Sequence, residues 1–511
     1  MRQLTLDGRS LTLVHLKAVL AGEPVQLAIA KPAMAAVKRA RAIVEAHVKN
    51  GDVVYGLTTG FGKLKSVAIA KEDLAQLQEN LVLSHCVGVG EPLPPNIVRA
   101  AQVLRLNGLV RGHSGVSTTL VEHLVACFNA GFVPVVPSQG SVGASGDLAP
   151  LAHMAAAYLG HGDCTVAGVR MKAALGLKKL KLKPVVLGAK EGLALINGTE
   201  IIKAIGAEAV LRAETVVASG DIVAALTLEA LLGSLTPYAD RIADLKGHQG
   251  HRDTASNVRR MLKNSEVLKS HAECDRVQDP YSLRCVPQIH GAVKTALAHV
   301  REVLALELNS VTDNPLVFPE DGSVVSAGQF HGQPLSIPLD YLAAALTTLG
   351  NVSERRIEQL VNPDLSRLPA FLTPQPGLNS GMMIVQVAAA SLASENKSLA
   401  HPASVDTIPT SANQEDHVSM GPIAARKALQ IARHVETIVA MEWLCAAQAR
   451  EFHPELRAGD GAEAAHALLR SKVDALIGDR WLHDDIEAAR EMVASGALRA
   501  AVEAAVGALR V

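Results

Sequence analysis

The chain has 511 residues, a formal net charge of -1 at pH 7 and 49% hydrophobic residues, with only 3% aromatic. A near-neutral balance, with one short Lys-rich run as the only local exception, argues against a nucleic-acid or polyanion surface. No uninterrupted apolar run is long enough to span a bilayer. The hydrophobic bulk is Ala, Leu and Val, which lose little side-chain entropy in a helix, so a chain of this length should bury large cores by packing helix on helix.

In chain order, the N-terminal residues lack the apolar core of a secretory signal. The six cysteines, Cys86, Cys127, Cys164, Cys274, Cys285 and Cys445, form no C-x-x-C pair and no zinc-ligand spacing. They read as reduced core residues of a cytoplasmic protein, and no metal site is expected. To about residue 200, short helical patterns alternate with Gly-, Ser- and Pro-rich loops, notably 51–62 and 134–150. The run Lys178-Lys179-Leu180-Lys181-Leu182-Lys183 alternates as a solvated strand or loop edge would.

From about residue 200 the breakers thin out. Residues 290–310 place Val293, Leu297, Val300, Leu304 and Leu308 on one helical face. Residues 422–446 do the same with Ala428, Ile431, Val435, Ile438 and Met441, and 337–361 form a third such stretch. The last stretch is Ala- and charge-rich. These patterns predict a mainly α fold, a long antiparallel helical bundle with a smaller loop-rich N-terminal domain. The expected boundaries are 1–200, 201–450 and a helical cap at 451–511. Loops with unusual chemistry interrupt the long helices at 279–284, 328–334 and 410–417, and such loops are where functional groups concentrate.

Several familiar patterns fail on inspection. Gly62-Lys63 is not a phosphate loop, because Leu57 stands where the first Gly is required and Leu64 where a metal-binding hydroxyl is required. Gly143-Ala144-Ser145-Gly146-Asp147 lacks the second Gly of a serine-hydrolase elbow, although a hydrolase using Ser145 stays open as an alternative, as does a non-catalytic helical scaffold. No H-E-x-x-H occurs, and isolated histidines such as His153 and His290 read as structural.

Residues 138–150 read Ser-Gln-Gly-Ser-Val-Gly-Ala-Ser-Gly-Asp-Leu-Ala-Pro. By itself this is a glycine-rich turn before a helix, with Asp147 a candidate N-cap. A second chemistry is open to it. Three small residues let the backbone fold back so that the Gly146 nitrogen attacks the Ala144 carbonyl carbon. Loss of water from the ring and from the Ser145 side chain leaves a methylidene conjugated to an imidazolone.

The segment from Gly140 to His153 resembles the signature of the histidine/phenylalanine ammonia-lyase family. The resemblance extends over nearly the whole chain, through Tyr55-Gly56-Leu57-Thr58-Thr59-Gly60-Phe61-Gly62, Leu83-Ser84-His85, Leu195-Ile196-Asn197-Gly198-Thr199, the 278–284 segment, Ser394-Glu395-Asn396-Lys397 and the 411–417 segment. It implies a carbon–nitrogen lyase that removes ammonia from an amino acid and leaves an acrylate. Its electrophile is 4-methylidene-imidazol-5-one (MIO), formed autocatalytically from Ala144, Ser145 and Gly146. It further implies a homotetramer whose active sites each draw on three subunits.

By the same resemblance, Tyr55 is the base that takes the β-proton and Tyr281 a second active-site tyrosine. Arg284 binds the substrate carboxylate, for which its planar fork is suited. Asn197 bonds the MIO oxygen, Phe330 flanks the MIO, and Gln278 joins the substrate site. An imidazole needs polar partners, and an apolar pocket would leave it unsatisfied. His85 and Glu415 meet that need and point to L-histidine as substrate and urocanate as product, a step of histidine degradation. Relatives acting on tyrosine or phenylalanine, including 2,3-aminomutases, usually carry an uncharged residue where Glu415 stands, and the same chemistry on those substrates is the alternative. Two positions depart from the family's usual loop, Gln329 replacing Asn and Gln333 replacing Glu.

Overall fold

The Ala- and Leu-rich segments fold as helices. The computed structural model describes residues 2–54, 56–60, 69–273 and 276–511, and among these it holds 21 α-helices and only short strands. Tyr55, Phe61, Gly62, Lys63, Leu64 and Cys274 lie outside the described residues. The mainly α expectation is met. No described helix is long and apolar enough to cross a membrane, and no described group of His, Cys, Asp or Glu could hold a metal ion.

The chain divides into two units, each built from three separated segments. The first comprises Met1–Glu208, Arg301–Asp340 and Pro402–Arg426, and the second Ala209–Val300, Tyr341–His401 and Lys427–Val511.

In the first unit, Arg2–Leu6 pairs in parallel with Val25–Ile29. A three-stranded antiparallel sheet joins Val133–Pro134, Asp163–Val166 and Val169–Lys172. The helix Pro95–Leu109 is buried along almost its whole length, including the polar Gln102, Arg105 and Asn107. Each of those has work there: Gln102 donates to the Tyr158 hydroxyl and Asn107 to the Leu308 carbonyl, as buried polar groups require. The Lys-rich run is not a strand. Lys178 and Lys179 close the last turn of the helix Ala173–Lys179, where positive charge suits the helix dipole, and the rest follows as loop.

The second unit holds the long helices beyond residue 208. Glu354 accepts from Gln386 while Gly350 faces Asn396, so Gln333–Val361 and Met383–Leu399 run in opposite directions. Gly350 also meets Val435 and Ile438, and Ser353 reaches Glu442, so Gly421–Arg450 returns along the first direction. Successive helices alternate, as an antiparallel bundle should.

Buried charges in this unit are matched. Arg356 grips Glu442 bidentately at 2.6 and 2.9 Å with neither side chain exposed, and Thr227 and Ser353 donate to the same carboxylate. Asp221 accepts from Lys294 at 2.6 Å and bonds His290 at 2.8 Å. His290 is therefore structural, as is His153, whose Nε2 accepts from the Gly88 amide. The C-terminal region is helical over Asp460–Arg470, His483–Ala494 and Ala497–Val506. The five described cysteines are free thiols.

Candidate active site

The tripeptide Ala144-Ser145-Gly146 sits in a tight loop just before the helix Leu148–Tyr158. Glycines with left-handed φ flank and end it, Gly143 at +71° and Gly146 at +78°. Sequence fixes this loop by excluding side chains: a Cβ on Gly146 would fall 2.0 Å from the Gly198 carbonyl oxygen. That close approach is a short bridge in which Gly198 N–H donates to the Ser145 carbonyl and Asp147 N–H to the Gly198 carbonyl. The Ser141 hydroxyl donates to the Gly146 carbonyl at 3.1 Å, and Ser419 donates to the Gly143 carbonyl. Val418 and Met420 pack on Ala144. The Gly146 N–H takes no part in these bonds.

Asp147 is not an ordinary N-cap of its own helix. Its side chain makes no capping bond there; Oδ2 instead accepts from the amides of Ile201 and Ile202, in the first turn of Glu200–Ala230. The carboxyl is completely buried, and burial pushes it up to about 8, with Glu200 adding to the rise against the two amide donors. Beside it Arg105 pairs with Glu200 at 3.1 Å and donates to the Asn197 carbonyl, and Thr312 donates to Glu200. A rigid, charge-balanced floor thus lies under the tripeptide.

Above this floor opens a cavity of about 450 Å³ lined by His85, Ala144, Ser145, Asn197, Phe330 and Glu415 among others. Six of the sequence-derived residues therefore meet in one place, all within the first unit. His85 ends the helix Leu74–Ser84, and its Nδ1 lies 2.8 Å from the Leu81 carbonyl. A ring nitrogen against a carbonyl must carry the proton, so in the neutral ring Nε2 is the acceptor. Asn197 follows the helix Glu191–Ile196 and donates from Nδ2 to the Asn314 carbonyl at 2.9 Å, while its buried Oδ1 has no partner among the described residues.

Glu415 projects from a loop held shut at its neck. Thr410 and Glu415 bond each other's backbones, and Ser411, Ala412 and Asn413 all adopt left-handed φ between them. The Thr410 hydroxyl donates to Glu415 Oε2 at 2.6 Å, and the Ser145 hydroxyl donates to Oε1 at 3.3 Å. His331 and His417 stack with ring centroids 5.8 Å apart, clipping this loop to the one that carries Phe330. Gln333 donates to the Ser404 carbonyl at 3.4 Å, whereas Gln329 is exposed.

Gln278, Tyr281 and Arg284 are elsewhere. They belong to the second unit and line a different cavity, of about 520 Å³. Tyr281 is 69% exposed, and the Arg284 guanidinium lies over its ring at 4.7 Å. Sequence reasoning missed Thr410, Asn314 and the His331–His417 stack. Thr410 lay within the 410–417 loop that the sequence singles out, and its hydroxyl was the available signal.

The arrangement fits the internal cyclisation that the tripeptide suggests. The loop tolerates nothing larger than Gly at 146, the Gly143, Ser145 and Gly146 carbonyls are held by neighbours, and the Gly146 nitrogen makes no hydrogen bond among the described residues.

Comparison with known proteins places the chain among its relatives. A family model described as aromatic amino acid lyase matches residues 11–471. The histidine ammonia-lyase of Caldanaerobacter subterraneus subsp. tengcongensis is 48% identical over 97% of this chain and 97% of its own length. The crystal structure of histidine ammonia-lyase from Trypanosoma cruzi superimposes with TM-score 0.92 and 42% identity, covering 99% of this chain and 96% of that one. Tyrosine aminomutase from Streptomyces globisporus gives TM-score 0.93 at 35% identity, covering 99% and 100%. The fold is thus shared across substrates, and the chain belongs to the aromatic amino acid lyase family.

Proposed function

We propose that this chain eliminates ammonia from L-histidine to give trans-urocanate, the entry to histidine degradation, using an electrophile made from Ala144, Ser145 and Gly146. MIO supplies an electron sink that no ordinary side chain offers. The residues around it then have defined tasks. Asn197, which lines the same cavity as Ala144 and Ser145, would hold the MIO oxygen with an amide hydrogen and stabilise charge there. His85 Nε2 offers an acceptor and Glu415 an anionic acceptor to the substrate imidazole. Phe330 walls the cavity and excludes water.

Tyr55 is proposed as the base for the β-proton. Gln278, Tyr281 and Arg284 are proposed to be delivered by neighbouring copies in a homotetramer. The exposure of Gln278 and Tyr281 and the separate cavity support this, because a half-buried Arg stacked on an exposed Tyr is placed to meet another chain.

The observation that carries the substrate is Glu415, an anionic group 3.3 Å from the Ser145 hydroxyl and held by Thr410. Purified protein mixed with histidine should show growth of conjugated-acrylate absorbance. Growth with tyrosine or phenylalanine instead would move the assignment to the second reading, which the likeness to tyrosine aminomutase keeps in view. Glu415→Gln should lower kcat/KM for histidine by about 100-fold or more, because the imidazole loses a charged partner. The electrophile has its own test: intact mass should fall short of the encoded mass by two waters, about 36 Da. Full encoded mass in active protein would refute it.

A further inference from the structure

The second unit contains a third cavity, of about 260 Å³, whose walls include Lys246, His248, His251, Gln288, Ala292 and Tyr341. It exists because two helices touch through glycine. A Cβ on Gly250 would lie 2.3 Å from the Gly291 carbonyl oxygen, so Gln249–Met261 and Val286–Glu307 meet backbone to backbone and larger side chains stand off around the contact.

The chemistry of its walls is one-sided. Lys246 and His248 precede the N-terminus of a 13-residue helix, with no side chain capping that end. Its free amides and dipole add positive potential. No Asp or Glu is among the described lining residues. His251, one turn in, is 3% exposed, lines the cavity and makes no side-chain hydrogen bond among the described residues. Burial first, then Lys246 and His248, hold its pKa down, as expected of a positive field with no anion to offset it. The Gln288 Oε1 atom is buried and unpartnered as well, and needs a donor. The remaining wall is mostly apolar, from Gly291, Ala292 and Tyr341, with the Thr295 hydroxyl already donating to the Gly291 carbonyl.

We propose that this cavity is a binding site for a small aromatic hydroxy acid. Its carboxylate would meet Lys246, His248, His251 and the helix amides, its ring would lie against Tyr341 and Ala292, and its hydroxyl would donate to Gln288. The site is independent of the Ser145 cavity and does not rest on the function assigned there.

Equilibrium dialysis of labelled 4-hydroxybenzoate against the full chain tests it. Lys246 and His248 are exposed, so Lys246→Ala/His248→Ala should fold normally; it should weaken one saturable class of binding by about tenfold or more, since two charge-assisted contacts are lost. Its kcat and KM for histidine should stay unchanged. His251→Leu should weaken the same class, and excess inorganic phosphate should fail to displace the acid. Binding that survives both variants, or no saturable binding at millimolar acid, overturns the proposal. Displacement by phosphate at equal affinity also overturns it, since the apolar wall and Gln288 would then contribute nothing.

Discussion

At the scale of single residues, the Ser145 cavity depends on groups that touch nothing reactive. Thr410 orients Glu415 through one 2.6 Å bond, leaving the other oxygen to face Ser145. Thr410→Val keeps the shape and removes the donor. It should lower kcat/KM for histidine by about tenfold, the worth of one hydrogen bond to a charged group, and Thr410→Ser should restore it. Steady-state kinetics on the three proteins decide this. An unchanged Val variant would show that the loop backbone alone sets the carboxylate. Gly146→Ala is expected to be far more severe, given the 2.0 Å collision with Gly198. It should keep its full encoded mass and lack turnover while retaining its helical circular dichroism.

At the scale of elements, the Arg356–Glu442 pair joins two long helices inside the second unit. Removing one partner strands a charge where water cannot reach it. Arg356→Met should cost about 3–5 kcal/mol in urea unfolding. The helices that bear these residues were legible in the sequence because each has an apolar stripe and a polar face. Glu200–Ala230 was not legible as one 31-residue helix. Nearly every residue along it is buried, so no stripe exists to be seen. Met383–Leu399 was hidden for the opposite reason. It leaves Ile384 and Val387 exposed while burying Asn396, which bonds His434. The 178–183 run, expected as a solvated strand or loop edge, is loop from 180 on with its lysines exposed; only Lys178 and Lys179, which end a helix, depart from that reading.

The site residues divide in the same way. Ala144, Ser145, Asn197, His85, Phe330 and Glu415 share long motifs, and their meeting in one cavity follows from them. The placement of Tyr281 and Arg284 in another cavity does not, because a linear pattern carries no information on which unit a loop serves.

At the scale of the whole molecule, buried ionised groups set the response to acid. Asp221 is held down to about 2: burial alone would raise it, but Lys294 and His290 outweigh that. The free reference lies near 3.9, so its contribution is present above that value and is lost as pH falls from about 4 toward 2. His290, lowered by burial, acts in the same sense, since the unfolded chain takes up a proton there first. The urea midpoint should therefore drop over this window, and Asp221→Asn/Lys294→Met should flatten the acid limb. An equally steep limb in the double variant would place the acid sensitivity elsewhere.

The first unit is drawn from three stretches of chain, and Ser145 and Glu415 lie 270 residues apart. Ribosomes add roughly 5–20 residues per second, so the tripeptide emerges tens of seconds before the carboxylate that faces it. No contiguous fragment ending at 208 can contain the complete cavity, although it holds every atom of the tripeptide. Transplanting this chemistry into another scaffold therefore requires three insertions in register, and a ribosome stalled before residue 402 would carry the raw material of the site without its substrate-reading loop.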